Sequence, residues 1–142
     1  MISSIFTVVA NRAIVDARSQ NLSLIDIFEG FKSISFPVVI PSVAVVFYLQ
    51  RAEGDANIQE GIIKYEIDNS VVFSTPVQID FQENLTTRLI FEVEGFLIPS
   101  IGQLKINLSI NDSVVAEYQA PVMQLEIPAP ALAAAPTRDP SI

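Results

Sequence analysis

The chain has 142 residues, half of them hydrophobic and 17% charged, which suits a single folded domain. Its formal net charge is −8 and its eight basic residues are spread singly, so we expect neither nucleic acid nor anionic membrane surfaces as partners, because phosphate neutralisation needs clustered cations. The sequence contains no Cys and no His, which removes thiolate and imidazole nucleophiles and metal ligands. We therefore expect no cofactor and no enzymatic activity.

The N-terminal part predicts a pair of strands. Residues 1–10 have no basic region before the apolar part, so we expect no signal peptide and, with no Cys in the chain, a cytoplasmic protein. Residues 5–30 predict a long strand, a polar turn at Arg18 to Asn21 and a second strand from Leu22. The alternation slips between Leu24 and Ile25. One extra residue at a β-bulge would explain the slip, and partial burial of both faces is the alternative.

Residues 36–51, FPVVIPSVAVVFYLQR, are apolar at both odd and even positions past Ser42. The run is shorter than the ~20 residues of a membrane-spanning helix, and Pro37 and Pro41 interrupt it, so we expect a strand and no membrane span. One face carries Val43, Val45, Phe47 and Leu49, and the other carries Ala44, Val46 and Tyr48. The strand is expected to be central, with one face against an opposite sheet. The other face would be covered by the C-terminal tail, by a loop such as residues 28–36, or by a second copy of the protein.

Strict alternation recurs farther along the chain. The runs are IKYEID from Ile63, VQIDF from Val77, RLIFEVE from Arg88 and QLKINLSI from Gln103. Short Asn/Asp turns at residues 68–70 and 111–113 predict hairpins, and the clearest joins residues 103–110 to residues 114–119. No helical stripe competes with these patterns. The sequence therefore predicts an all-β, mainly antiparallel sandwich of roughly seven to nine strands.

The loop EGDAN places Glu53, Asp55 and Asn57 at alternate positions, as calcium-binding loops do. The helix-loop-helix calcium motif fails, because Ile58 stands where it needs Gly and Lys64 where it needs a bidentate Glu. A looser calcium site at one end of the sandwich and a solvated loop both remain open. The glycines are isolated, which disfavours a phosphate-binding loop.

Aromatic residues offer two further hypotheses. Tyr65 and Tyr118 fall at core positions, where a buried ring with its hydroxyl at the rim is the common arrangement, and the absence of Trp weakens a sugar-binding platform. Phe96, Leu97 and Ile98 form a short apolar run between Gly95 and Pro99. This run is either a docking knob or a crossing segment that closes the open end of the sandwich.

Residues 128–142 change character and are rich in Pro and Ala, which predicts a C-terminal tail beyond a domain of residues 1–127. Together, NLSLIDIFEG from Asn21, FPVVIP from Phe36, VEGFLIPSIG from Val93 and VVAEYQAPV ending at Val122 resemble a family of small uncharacterised bacterial proteins, a domain-of-unknown-function family. The resemblance implies an immunoglobulin-like sandwich in a cytoplasmic bacterial protein. It supplies no activity.

These patterns predict a non-enzymatic interaction or structural module. It would associate with a protein partner or with itself, through a sheet edge or through the strand at residues 42–50, with the tail as a docking arm. The candidate interface residues are Ala44, Val46, Tyr48, Phe96, Leu97 and Ile98. The alternatives are a sandwich that binds calcium or a carbohydrate at residues 53–57, and a component of a phage or other assembly.

Overall fold

The computed structural model describes residues 1–126, which contain nine β-strands and no helix. The strands are β1 Ser3–Val15, β2 Leu22–Ile27, β3 Phe31–Ser33, β4 Val38–Gln50, β5 Ile58–Ile67, β6 Ser70–Asp80, β7 Thr86–Ile98, β8 Gly102–Ile110 and β9 Ser113–Gln124. The predicted all-β class is confirmed. The predicted tail at residues 128–142 lies outside the described residues.

Two sheets pack face to face. One has the strand order β2-β1-β4-β7, and the other has the order β3-β9-β8-β5-β6. All described pairings are antiparallel except that of β3 with β9. The core between the sheets combines one face of β4 with the inward residues of β5 and β8. Its members include Val43, Val45, Phe47, Leu49, Ile63, Tyr65, Leu104, Ile106 and Leu108. The predicted sandwich and the central position of β4 are confirmed.

Two-residue turns close the hairpins β5–β6 and β8–β9. Asp68 and Asn69 have φ of 46° and 68°, and Asn111 and Asp112 have φ of 52° and 63°. Asn and Asp tolerate this left-handed backbone, and such turns match the twist of the strands that they join. The hairpin predicted from residues 103–119 is therefore confirmed.

The β5–β6 turn is fastened to the start of β8. The Gln103 backbone N–H donates to Asp68 Oδ1 at 2.9 Å. Gly102 has a φ of 146°, and a Cβ on it would lie 2.3 Å from Asp68 Oδ2. Only glycine fits this close approach without displacing the carboxylate.

Strand β1 changes partner along its length. It pairs with β4 from Ser3 to Ala10 and with β2 from Ala10 to Val15. The predicted bulge in β2 is wrong, because the β1–β2 pairing continues without a register shift. The alternation slips because β2 is apolar on both faces. Leu22 and Leu24 are partly buried, and Ile25 and Ile27 are exposed.

Candidate interaction surface and hairpin cleft

Residues 11–27 form a hairpin arm, the part of β1–β2 that has left β4. At its base, the Asn11 side-chain amide donates to the Ser42 carbonyl at 3.3 Å. At its tip, the Arg88 guanidinium on β7 donates to the Gln20 carbonyl at 2.5 Å. Ser42 and Arg88 lie far apart along the β4–β7 ladder, so these contacts place the arm across the outer face of that sheet.

The arm covers the second apolar face of β4. Ala44 is 2% exposed and Val46 is 0% exposed, although both point away from the core between the sheets. One cleft beside the arm is lined by Asn11, Arg12, Ala13, Ser42, Ala44 and Glu92. A second, at the arm's tip, is lined by Phe6, Gln20, Asn21, Leu22, Leu24, Tyr48 and Arg88. The cover therefore comes from residues 11–27, a segment that was not among those predicted to provide it.

A tyrosine anchors the base of the arm to the other sheet. The Phe28 backbone N–H donates to the Val9 carbonyl at 2.8 Å, and the Tyr118 hydroxyl donates to the Phe28 carbonyl at 2.6 Å. Burial raises the pKa of Tyr118 to about 12, because burial disfavours the phenolate. Tyr118 on β9 thus links the arm to the second sheet.

The cleft at the tip of the arm has a volume of about 460 Å³. Phe6 and Tyr48 form its aromatic floor, with ring centroids 5.2 Å apart and planes tilted by 53°. Phe6 is 37% exposed, so part of its ring is open to the cleft. Arg88 stands opposite Tyr48 in the β4–β7 register and supplies the only charge among the lining residues.

The predicted interface residues do not come together. Ala44 and Val46 lie beneath the arm, and Tyr48 lies in the cleft at its tip. Phe96, Leu97 and Ile98 end β7, where Phe96 and Ile98 are buried in the core and Leu97 is 42% exposed. Only Tyr48 and Leu97 of the six therefore offer side-chain surface to a partner of the folded chain.

Phe96 packs in the core against Tyr65. Their rings stack with centroids 4.6 Å apart, and the Tyr65 hydroxyl donates to the Leu97 carbonyl at 2.9 Å. Burial raises the pKa of Tyr65 well above its ordinary value. The run from Phe96 to Ile98 is thus the last part of strand β7, paired with residues 38–40 of β4, with Leu97 outward.

The arm carries an apolar surface that was not predicted from the sequence. Ile14, Ile25 and Ile27 are 43%, 40% and 55% exposed, and we call them the isoleucine face. In the β1–β2 register Arg12 stands opposite Ile25, so Arg12, Ile14 and Ile25 share one face of the hairpin, which is the solvent side. Leu22 and Leu24 lie on the other face and line the cleft. The signal was the slip between Leu24 and Ile25, which marks a strand that is apolar on both faces.

The oxygens of residues 53–57 hold the loop itself together. Asp55 accepts hydrogen bonds from the N-terminal ammonium and from the Ala52 N–H, and the former, with the backbone bond, holds its pKa below the usual range. Asn57 Oδ1 accepts from the Glu83 N–H at 2.6 Å. Within residues 1–126, no group of three or more His, Cys, Asp or Glu side chains is placed to hold a metal ion.

The two long free edges carry features that discourage pairing. β6 contains Pro76, which lacks an N–H, and its pairing with β5 has a register shift at Tyr65 and Glu66. β7 carries Arg88, Glu92 and Glu94 on its outer face. Charges, prolines and bulges of this kind oppose the addition of another strand.

Taken together, the fold and its surfaces define a two-sheet β-sandwich with a hairpin arm folded over one outer face. Residues 5–123 match the family of unknown function DUF6941, and the chain belongs to that family. The predicted membership of a family of unknown function is thereby confirmed. The match includes all the segments on which the sequence resemblance rests.

Comparisons with individual proteins add little. No curated protein matches the chain. Among solved structures, it is similar to a β-glucosidase from Kluyveromyces marxianus with a TM-score of 0.41 and 11% identity, over 68% of this chain and 15% of that one. The chain thus spans a small part of that enzyme, and a likeness at this level carries no functional argument. In the part of the chain that the structure describes, no helix is long and apolar enough to cross a membrane.

Proposed function

We propose that the chain is a non-enzymatic interaction module that associates with a second copy of itself through the isoleucine face of its hairpin arm. The observation that carries this proposal is the exposure of Ile14, Ile25 and Ile27 on one short hairpin. Clustered exposed aliphatic side chains mark interaction surfaces, because water favours their burial against a partner. Arg12 stands opposite Ile25, and the exposed Asp26 lies between Ile25 and Ile27 in the chain.

The arm suits self-association better than the other surfaces do. The second face of β4 is covered, and β6 and β7 carry the protective features described above. β2 is also a free edge, so its backbone groups are available where Ile25 and Ile27 are exposed. Two copies related by a twofold axis would bring β2 against β2, which combines strand addition with burial of isoleucine side chains.

Composition supports a non-enzymatic module of the cytoplasm. A chain without His and Cys lacks the commonest general base and the thiolate nucleophile, and a chain without Cys suits a reducing compartment. No observation favours the calcium alternative at residues 53–57, because Asp55 and Asn57 already accept hydrogen bonds from the chain itself.

The strand order supports an immunoglobulin-like class within the sandwiches. β1, β4 and β7 are neighbours in one sheet, as strands A, B and E are in immunoglobulin domains. β9, β8, β5 and β6 are neighbours in the other sheet, as G, F, C and C′ are in the variable type. Domains of this architecture serve many unrelated functions, so the class is compatible with an interaction module and does not select it.

Sedimentation velocity over a range of concentrations tests the self-association. We expect the wild-type chain to form a dimer whose dissociation constant rises by about tenfold or more in Ile25→Glu, because a carboxylate replaces an apolar contact. The introduced carboxylate would stand opposite Arg12, so the monomer gains a cross-strand ion pair and keeps its fold.

The matched control is Val114→Glu. Val114 is 56% exposed and lies on β9 in the other sheet, so this variant makes the same charge change away from the arm. We expect it to dimerise as the wild type does. A wild-type chain that stays monomeric up to its solubility limit, or a dimer that both variants weaken equally, would refute the proposal.

A further inference from the structure

The cleft at the tip of the hairpin arm is separate from the isoleucine face. Leu22 and Leu24 point into the cleft, and Ile25 lies on the opposite side of the same strand. A volume of about 460 Å³ falls within the range of small-molecule sites and exceeds what a bare inorganic anion fills. A small molecule could therefore bind in this cleft independently of self-association.

We propose that this cleft binds a small planar aromatic carboxylate. The aromatic ring of the ligand would pack on Phe6 and Tyr48, between the side chains of Leu22 and Leu24. Its carboxylate would pair with the guanidinium of Arg88.

The charge of the cleft selects an anion. Arg88 has five N–H donors in a planar fork, and within residues 1–126 it donates a single hydrogen bond, to Gln20. No Asp or Glu lines the cleft. The Asp16 carboxylate in the adjacent turn already accepts from the Arg18 and Ser19 N–H groups at 2.8 Å. A ligand carboxylate matches the remaining donors of Arg88 in a two-bond geometry.

The walls of the cleft select an aromatic body. The Phe6 and Tyr48 rings are tilted against each other by 53°, which leaves ring surface open to a third ring in an edge or offset arrangement. Leu22 and Leu24 add aliphatic surface on the arm side. Asn21 and Gln20 form the polar rim near the place where a carboxylate would sit. A fully polar anion would leave the aromatic and aliphatic walls unfilled.

Methyl NMR titration with 2-naphthoate tests the proposal. We expect chemical-shift changes confined to the methyl groups of Leu22 and Leu24, and a dissociation constant that rises about tenfold or more in Arg88→Gln. Arg12→Gln is the matched control, because it removes the same charge from the base of the arm, beside the other cleft. The control variant should bind like the wild type.

Three further ligands and one variant distinguish the contribution of the ligand's charge from that of its aromatic ring. Naphthalene-2-carboxamide lacks the charge, glucuronate lacks the aromatic ring, and inorganic phosphate lacks both the ring and the carboxylate, so each should bind at least about tenfold more weakly than 2-naphthoate. Phe6→Leu keeps Arg88 and its bond to Gln20 while it removes the ring plane, and it should weaken 2-naphthoate several-fold even if Arg88→Gln loosens the arm. Equal affinity of the wild type, Arg88→Gln and Phe6→Leu, tighter binding of glucuronate, or shifts spread over the whole surface would overturn the proposal.

Discussion

The outer face of one sheet is covered by the hairpin arm, and the outer face of the other sheet is not. β4 and β8 are both interior strands, and the inward side chains of residues 43–49 and 104–110 are buried. Outward, β4 presents Ala44 and Val46, which the hairpin arm covers, whereas β8 presents Lys105 and Ser109, which stay partly exposed, and Asn107, which is 8% exposed. Apolar residues on both faces of a strand thus require cover on both faces. The second sheet needs no such cover, because the outward residues of β8 are polar.

A charge placed on each face gives the largest expected difference. Val46→Asp should lower the free energy of unfolding by more than about 3 kcal/mol, because the arm shuts a carboxylate away from water without a partner. Ser109→Asp, at an outward position of β8, should change it by less than about 0.5 kcal/mol. Urea unfolding measures both. Similar small effects would mean that the cover over β4 opens easily.

The base anchor of the arm predicts a pH dependence. Tyr118→Phe should cost about 1 kcal/mol at neutral pH, since the Phe28 carbonyl loses its hydroxyl donor. The pKa of Tyr118 is raised to about 12 in the folded chain, so the neutral phenol's contribution is complete below the ordinary value of about 10. This contribution to stability is lost as the pH rises from the ordinary pKa of about 10 toward the folded-state pKa of about 12.

Unfolding curves measured between neutral and strongly alkaline pH test whether the stability falls as the pH rises. The wild type should lose stability in this window more steeply than Tyr118→Phe. Tyr65, whose pKa burial also raises, should leave the variant with a residual slope of the same sign. Equal slopes in the two chains would show that the Tyr118 hydroxyl does not stay protonated by burial.

The tip anchor should contribute less to overall stability than the base anchor. Arg88→Gln removes a partly exposed charged hydrogen bond to Gln20, which we expect to cost about 0.5 kcal/mol. Hydrogen exchange locates the effect, because the amides of β2 should exchange faster while those of β8 and β9 are unchanged. Arg12→Gln should leave both regions as in the wild type. Faster exchange throughout the sandwich would show that the tip contact supports the whole fold.

Much of the fold follows from local pattern. The alternation of residues 103–110 and the Asn111-Asp112 turn predicted the β8–β9 hairpin, and the two-sided run at residues 43–49 predicted a central, doubly covered strand. The candidate interface was less accessible to this reasoning. Phe96 and Ile98 could as well be buried as exposed, and the structure places them in the core.

The isoleucine face and the cleft depend on where the hairpin arm lies. Alternation records which residues share a face, but it does not say which surface that face meets. The slip at Leu24 and Ile25 carried the information that β2 is apolar on both sides, and a local bulge was an equally simple explanation of the same letters. Arg88 and Gln20 are 68 residues apart, and no local pattern joins them.

The class of the fold, its turns and the need to cover both faces of β4 could be predicted from the sequence, because these are consequences of side-chain period and of backbone preferences at neighbouring positions. The folded chain was needed to show that residues 11–27 provide the cover, that Tyr118 and Arg88 anchor them, and that Phe6, Tyr48 and Arg88 line one cleft. Apolar burial is non-directional, so many segments of the chain could satisfy the same need, and long-range geometry selects among them.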